Sequence, residues 1–164
     1  NFISTDDPEL MKLGRDVGFE LIERPDYLAT AEALGDDAYK HGYEVIKKLI
    51  GEKPELLVLM FCNAPTVTPS QISEGVQILR NDSSADSAVT VSVLNMYSPL
   101  RARKLNKEGY LQPFVPFESF GDPETLSCDR DSQGDVFFAD MSHSVSRSRA
   151  LDNIDSGLLP QRWM

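Results

Sequence analysis

The stretch Cys62-Asn63-Ala64-Pro65-Thr66-Val67 joins an apolar run, Leu56 to Phe61, to a segment with a strong helix-start signal. Asn63 offers an amide donor and an acceptor, and the surrounding backbone offers more of both. A turn built from Pro and an Asx side chain explains the same residues without any ligand. The position of the loop favours function, because in open α/β sheets ligands bind at the carboxyl ends of strands. Cations form the second set: Arg24 before Pro25, Arg101 and Lys104 in Ser98 to Leu105, and Arg130 just ahead of Gln133. Guanidinium forks fit carboxylate and phosphate oxygens. A solvated surface charge is the alternative for each of them, most of all for Arg101, so Lys104 and Arg130 are the better candidates.

The remaining reactive side chains suit structural roles. His41 falls on the apolar stripe of a helix, as a partly buried structural histidine does. His143 lies in the polar stretch SHSVSRSR with no partner at metal-ligand spacing. Cys62 and Cys128 form neither a metal spacing nor a disulfide framework, and Cys62 has no identifiable base. Asp6 and Asp7 read as paired carboxylates, but helix capping accounts for Asp7. No metal site is expected from these residues.

The elements that position these groups follow from spacing. Leu56 to Phe61 is too short for an ordinary helix and suits a strand buried on both faces, as in a parallel sheet. Thr68, Pro69 and Gln71 supply an N-cap, a first helical residue and a capping box, so a helix is predicted over Pro69 to Arg80. Its apolar stripe is Ile72, Val76 and Leu79. Upstream, Phe2 to Thr5 reads as a strand end. Asp7-Pro8-Glu9 opens a helix with Leu10, Leu13 and Val17 on one face, and Gly18 closes it. Phe19 to Ile22 is a second strand, and Asp37 to Ile50 a helix with Ala38, His41, Gly42, Val45, Ile46 and Leu49 on its stripe. Downstream, Ala88 to Leu94 and Asp135 to Asp140 are strands, and Leu105 to Leu111 is a hairpin tip. Strands alternating with helices predict βαβ units and a three-layer α/β sandwich with a mostly parallel, Rossmann-like sheet in a single domain, 1–164.

Composition excludes several classes. The chain has 164 residues and a formal net charge of −10, which argues against duplex nucleic acid and anionic membranes as partners. No apolar run approaches the roughly 20 residues that span a bilayer. Without a disulfide framework or a visible signal peptide, a reduced, cytoplasmic protein is expected.

Several stretches together resemble the CMP-sialic acid (acylneuraminate) synthetase family of sugar-acid cytidylyltransferases. Ile3 to Asp7 (ISTDD) looks like the segment after that family's second strand, and Glu23 to Thr30 (ERPDYLAT) is similar to its RP-x-x-L-A loop. Leu59 to Ile72 lines up without a gap with LLQPTSPLRTAEDI. Ala85 to Pro116 and Gln133 to Asp140 resemble the later segments in the same order. The resemblance does not extend to the family's Gly- and Arg-rich phosphate loop or to its Asp-Ile-Asp metal motif. Ile154 to Ser156 has a similar look to that motif but comes too soon after the preceding strand.

The resemblance implies a fold of the nucleotide-diphospho-sugar transferase type and transfer of CMP from CTP to an acidic sugar, releasing pyrophosphate. Arg24, Phe61, Asn63, Ala64 and Pro65 would take the nucleotide, and Lys104, Arg130 and Gln133 the sugar acid. Phe61 stands where the family often has a base-reading Gln, and it can only stack. Mg²⁺ is implied, with ligands outside this chain, so the chain is expected to be the middle of a family member and inactive by itself. The alternative is a non-catalytic nucleotide- or sugar-binding scaffold domain. The resemblance further implies a homodimer through an inserted arm, 98–131. Tyr110, Leu111, Phe114, Val115, Phe117 and Phe120 look exposed there, and the connection from Leu94 to Asp135 is too long for a plain loop.

Overall fold

In a computed structural model, the described residues are 1–127 and 129–154, with the backbone alone at 141. Cys128 and the stretch from Asp155, which contains most of the Ile154 to Ser156 look-alike, lie outside them. In chain order the elements are β1 (Phe2–Thr5), α1 (Pro8–Asp16), β2 (Glu20–Glu23), α2 (Gly35–Ile50), β3 (Leu56–Met60) and α3 (Pro69–Asn81). Then follow β4 (Ser87–Val93), β5 (Arg103–Leu105), β6 (Leu111–Pro113), β7 (Phe137–Arg147) and α4 (Ser148–Leu151). Two compact units result: Asn1–Val89 with Ser142–Met164, and Thr90–Met141.

The first unit is α/β. Strands β1 and β2 pair in parallel through α1, with Ile3 opposite Leu21 and Ser4 opposite Ile22. The second sheet of described strands runs β3–β7–β4. Alternate residues of β3 reach opposite layers. Leu56 packs against Leu79, Ala85, Ala88 and Val145 on the α3 side. Leu57 packs against Tyr43, Leu151 and Ile154, from α2 and the α4 end. Helices thus cover both faces, and the expected αβα layering holds.

The local start and stop signals form as expected. Asp7 accepts hydrogen bonds from the backbone of Glu9 (2.7 Å) and Leu10 (3.0 Å). The capping box closes with the Gln71 amide accepting from the Thr68 backbone at 2.8 Å and the Thr68 hydroxyl accepting from the Gln71 backbone at 3.4 Å.

Four expectations change. Strand β3 is not buried on both faces: Val58 and Met60 are 36% and 51% exposed. It pairs antiparallel with β7 and, among the described residues, has no strand on its other side. An apolar run does not distinguish an edge from a centre. On α1 the stripe of Leu10, Leu13 and Val17 is exposed. The helix packs instead through buried Gly14, where a Cβ would meet Ile3 Cγ2 at 2.6 Å. On α2 the fully buried side chain is Tyr43, while Leu49 is exposed. The stretch read as polar, with His143, continues strand β7, and His143, Ser144, Ser146 and Ser148 are all buried. Of these, the Ser148 hydroxyl donates to the Pro54 carbonyl.

The second unit carries the hairpin β5/β6, with Arg103 opposite Pro113 and Leu105 opposite Leu111. Asn106 Oδ1 accepts from the Glu108 and Tyr110 backbones, and Gly109 takes φ 85° to close the turn. Tyr110, Leu111 and Phe114 are exposed as expected, but Val115, Phe117 and Phe120 are half-buried. Phe117 is partly covered by the Arg103 guanidinium, 5.2 Å from its ring centre.

Candidate functional site

The carboxyl ends of β1 and β2 lie side by side, as parallel pairing requires. There the Arg24 backbone donates to the Thr5 carbonyl at 3.0 Å, and Arg24 Nη2 donates to the Ser4 carbonyl at 2.8 Å. Arg24 is therefore half-buried and tied down, not a freely solvated charge. It forms no ion pair among the described residues, although Glu23 and Asp26 flank it in sequence. Its Nε and the Ser4 hydroxyl are both buried without a hydrogen-bond partner among the described residues. The Asp7 carboxylate is committed to the N-terminus of α1.

The Cys62 to Val67 loop leaves the end of β3 as two successive turns, closed by the Ala64 backbone donating to the Phe61 carbonyl at 3.1 Å and by Val67 donating to Ala64 at 3.5 Å. Its place between β3 and the capped start of α3 is the one expected. Phe61 is 41% exposed. Asn63 and Pro65 are exposed and Ala64 half-buried. Cys62 is an exposed free thiol.

A cleft of about 710 Å³ opens between the loop that follows Arg24 and helix α2. Tyr27, Leu28 and Leu34 give it an apolar side, and Asp37, His41 and Glu44 a polar one. Sequence reading did not anticipate it. His41 is half-buried, as expected, with its Nδ1 sequestered.

The residues assigned to a sugar acid are all in the second unit, each with a local contact. Lys104 Nζ stands 5.7 Å from the centre of the Phe114 ring. Arg130 Nε bridges to Asp131 at 3.1 Å, and Gln133 Nε2 donates to the Ser132 hydroxyl at 3.3 Å. No described contact joins Lys104 to Arg130 or Gln133. The Asp131 carboxyl is held below the ordinary carboxylate range, first by the Asn95 amide and then by Arg130. Arg101 is half-buried and engaged.

Among the described residues no group of three or more His, Cys, Asp or Glu is placed to hold a metal ion. Likewise, among the described residues no helix is long and apolar enough to cross a membrane.

No protein-family model matches the chain, and no curated protein matches it. Among solved structures it is similar to one described as CMP:2-keto-3-deoxy-manno-octonic acid synthetase complexed with CTP, at a TM-score of 0.59 and 15% identity. The match covers 94% of this chain and 58% of that one, so the chain spans little more than half the length of the protein it matches. At that identity the likeness is one of fold.

Proposed function

We propose that this chain is part of a nucleotidyltransferase that moves CMP from CTP to an acidic sugar of the sialic acid type. In the proposed reaction the sugar's anomeric hydroxyl oxygen attacks the α-phosphorus. The bond from the α-phosphorus to the bridging oxygen breaks, pyrophosphate leaves, and the hydroxyl proton is released. The observation that carries the reading is the likeness in fold, across nearly the whole chain, to a synthetase that holds CTP. The Cys62 to Val67 loop supports it by its position at a strand's carboxyl end.

In this reading the Asn63 amide and the backbone of Ala64 and Pro65 meet the edge of the cytosine, whose N4 donates and whose O2 and N3 accept. Phe61 stacks on the base, and Arg24 neutralises the nucleotide. Lys104, Arg130 and Gln133 receive the sugar's carboxylate. The implied Mg²⁺ would be held by residues other than those described, and no step is assigned to it. The exposed residues Tyr110, Leu111 and Phe114 form the centre of a two-fold homodimer contact within 98–131.

Calorimetric titration with CTP, UTP and GTP in the presence of Mg²⁺ tests the reading, followed by a pyrophosphate-release assay with a sialic acid. Preferential CTP binding is expected. Nucleotide binding by the full-length protein without pyrophosphate release would assign a non-catalytic nucleotide-binding domain instead. No binding of any nucleotide would end the proposal.

A further inference from the structure

The two buried, unpartnered atoms near the end of the parallel pair belong to one place. Register puts Ser4 opposite Ile22 on neighbouring strands. Side chains alternate along a strand, so Ile3 and Leu21, which approach Gly14 of α1, occupy one face. Ser4 and Ile22 occupy the other. Arg24, two residues beyond Ile22, projects on that second face and reaches back to the Ser4 carbonyl at 2.8 Å. Ile22, on this face, is 3% exposed. Here a guanidinium that forms no ion pair among the described residues and a hydroxyl with no partner among them sit together, in a chain with 26 acidic side chains that could have neutralised the cation. Native structures rarely leave buried polar atoms unmatched, and a half-buried guanidinium with a buried, unmatched Nε suits an anionic acceptor.

We propose that Arg24 and Ser4 form an oxyanion-binding site at the carboxyl end of β1 and β2. The guanidinium supplies charge and two forked donors, the Ser4 hydroxyl a third, and the ligand one phosphate or carboxylate group. Such an anion accepts hydrogen bonds from all three, and the unmatched atoms are the signature of its place. The proposal rests on the cytidylyltransferase reading and deepens it by adding Ser4. Phosphate of the nucleotide and carboxylate of the sugar acid share this chemistry, and the test separates them.

A structural role for Ser4 and a binding role predict opposite outcomes. Ser4→Ala removes a buried hydroxyl with no partner among the described residues, so the unliganded protein keeps or raises its melting temperature. Ligand affinity is nevertheless expected to fall about tenfold, a loss of about 1.4 kcal/mol. Arg24→Lys keeps the charge but loses the fork, and is expected to lose at least as much. Calorimetry on wild type, Ser4→Ala and Arg24→Lys would use CTP, N-acetylneuraminate and inorganic pyrophosphate in parallel. A loss confined to CTP and pyrophosphate assigns phosphate; a loss confined to N-acetylneuraminate assigns carboxylate. If the wild type binds pyrophosphate through Arg24 but no CTP, the site stands and the cytidylyltransferase reading fails. Affinities unchanged within twofold in both folded variants, or no binding of any of the three by wild type, would overturn the site.

Discussion

Arg147, near the end of β7, is the side chain whose loss should cost this fold most. Its Nε donates to the Ala85 carbonyl at 2.9 Å. Its Nη2 donates to the Leu79 carbonyl and, at 3.4 Å, to that of Asp82. These carbonyls lie where α3 ends and turns toward β4, beside Leu79 and Ala85, which are 0% and 2% exposed. The cation also faces the negative end of the α3 dipole. In Arg147→Ala, the Ala85 carbonyl keeps a donor, Arg149 Nη2 at 3.1 Å, and the Asp82 carbonyl keeps the Ala85 backbone at 3.4 Å. Leu79 is left with an unsatisfied carbonyl, which costs about 1–3 kcal/mol, and the other charged bonds add about 1 kcal/mol. A total loss of about 2–4 kcal/mol follows, or about 4–16 °C in melting temperature at about 2–4 °C per kcal/mol. Urea denaturation followed by circular dichroism measures it. Arg147→Lys should lose roughly half as much, because it keeps the charge without the fork. High salt should change the loss little, since the acceptors are carbonyls and not carboxylates. A loss below about 1 kcal/mol, or one erased by salt, would refute the clamp.

Replacing Gly75 with Ala should destabilise although it sits inside a helix. The added Cβ would lie 2.9 Å from Val145 Cγ2, and overpacking of about 1–3 kcal/mol outweighs about 1 kcal/mol of helix propensity; a raised urea midpoint would contradict this. The Asp152 carboxyl is held below its ordinary 3.8, first by Lys53 and then by Tyr43. Its contribution is therefore full above about pH 4 and lost as pH falls through the lower folded value. Asp152→Asn should flatten stability against pH in that acid window, and an unchanged profile counts against it. For the nucleotide reading, Asn63→Ala should weaken CTP by about fivefold while leaving GTP unaffected, consistent with about 1 kcal/mol for one hydrogen bond; equal losses for both nucleotides would remove Asn63 from base recognition. Light scattering on Phe114→Ser should show a dimer falling to monomer mass, and an unaltered mass would exclude that ring from the contact.

Features decided within a few residues were legible in the amino-acid sequence. The Asp7 cap, the Thr68–Gln71 capping box and the Asn106–Gly109 turn each close through hydrogen bonds between near neighbours, so their residue types announce them. The Cys62 to Val67 loop was legible for the same reason, because an apolar run and a helix start bracket it. What each element packs against was not. Leu10, Leu13 and Val17 have the spacing of a buried stripe and face solvent, because α1 approaches Ile3 and Leu21 through Gly14. The Ser-rich end of β7 reads as surface but is buried between β3 and β4, and the cation that closes α3, Arg147, comes from that strand. Arg24 was legible as a cation before a proline. Its pairing with Ser4 depended on the register of two parallel strands joined by a helix. Caps and turns are short-range hydrogen-bond chemistry written in adjacent residues, whereas burial, register and the meeting of Arg24 with Ser4 depend on partners distant in the chain, which only the tertiary structure brings together.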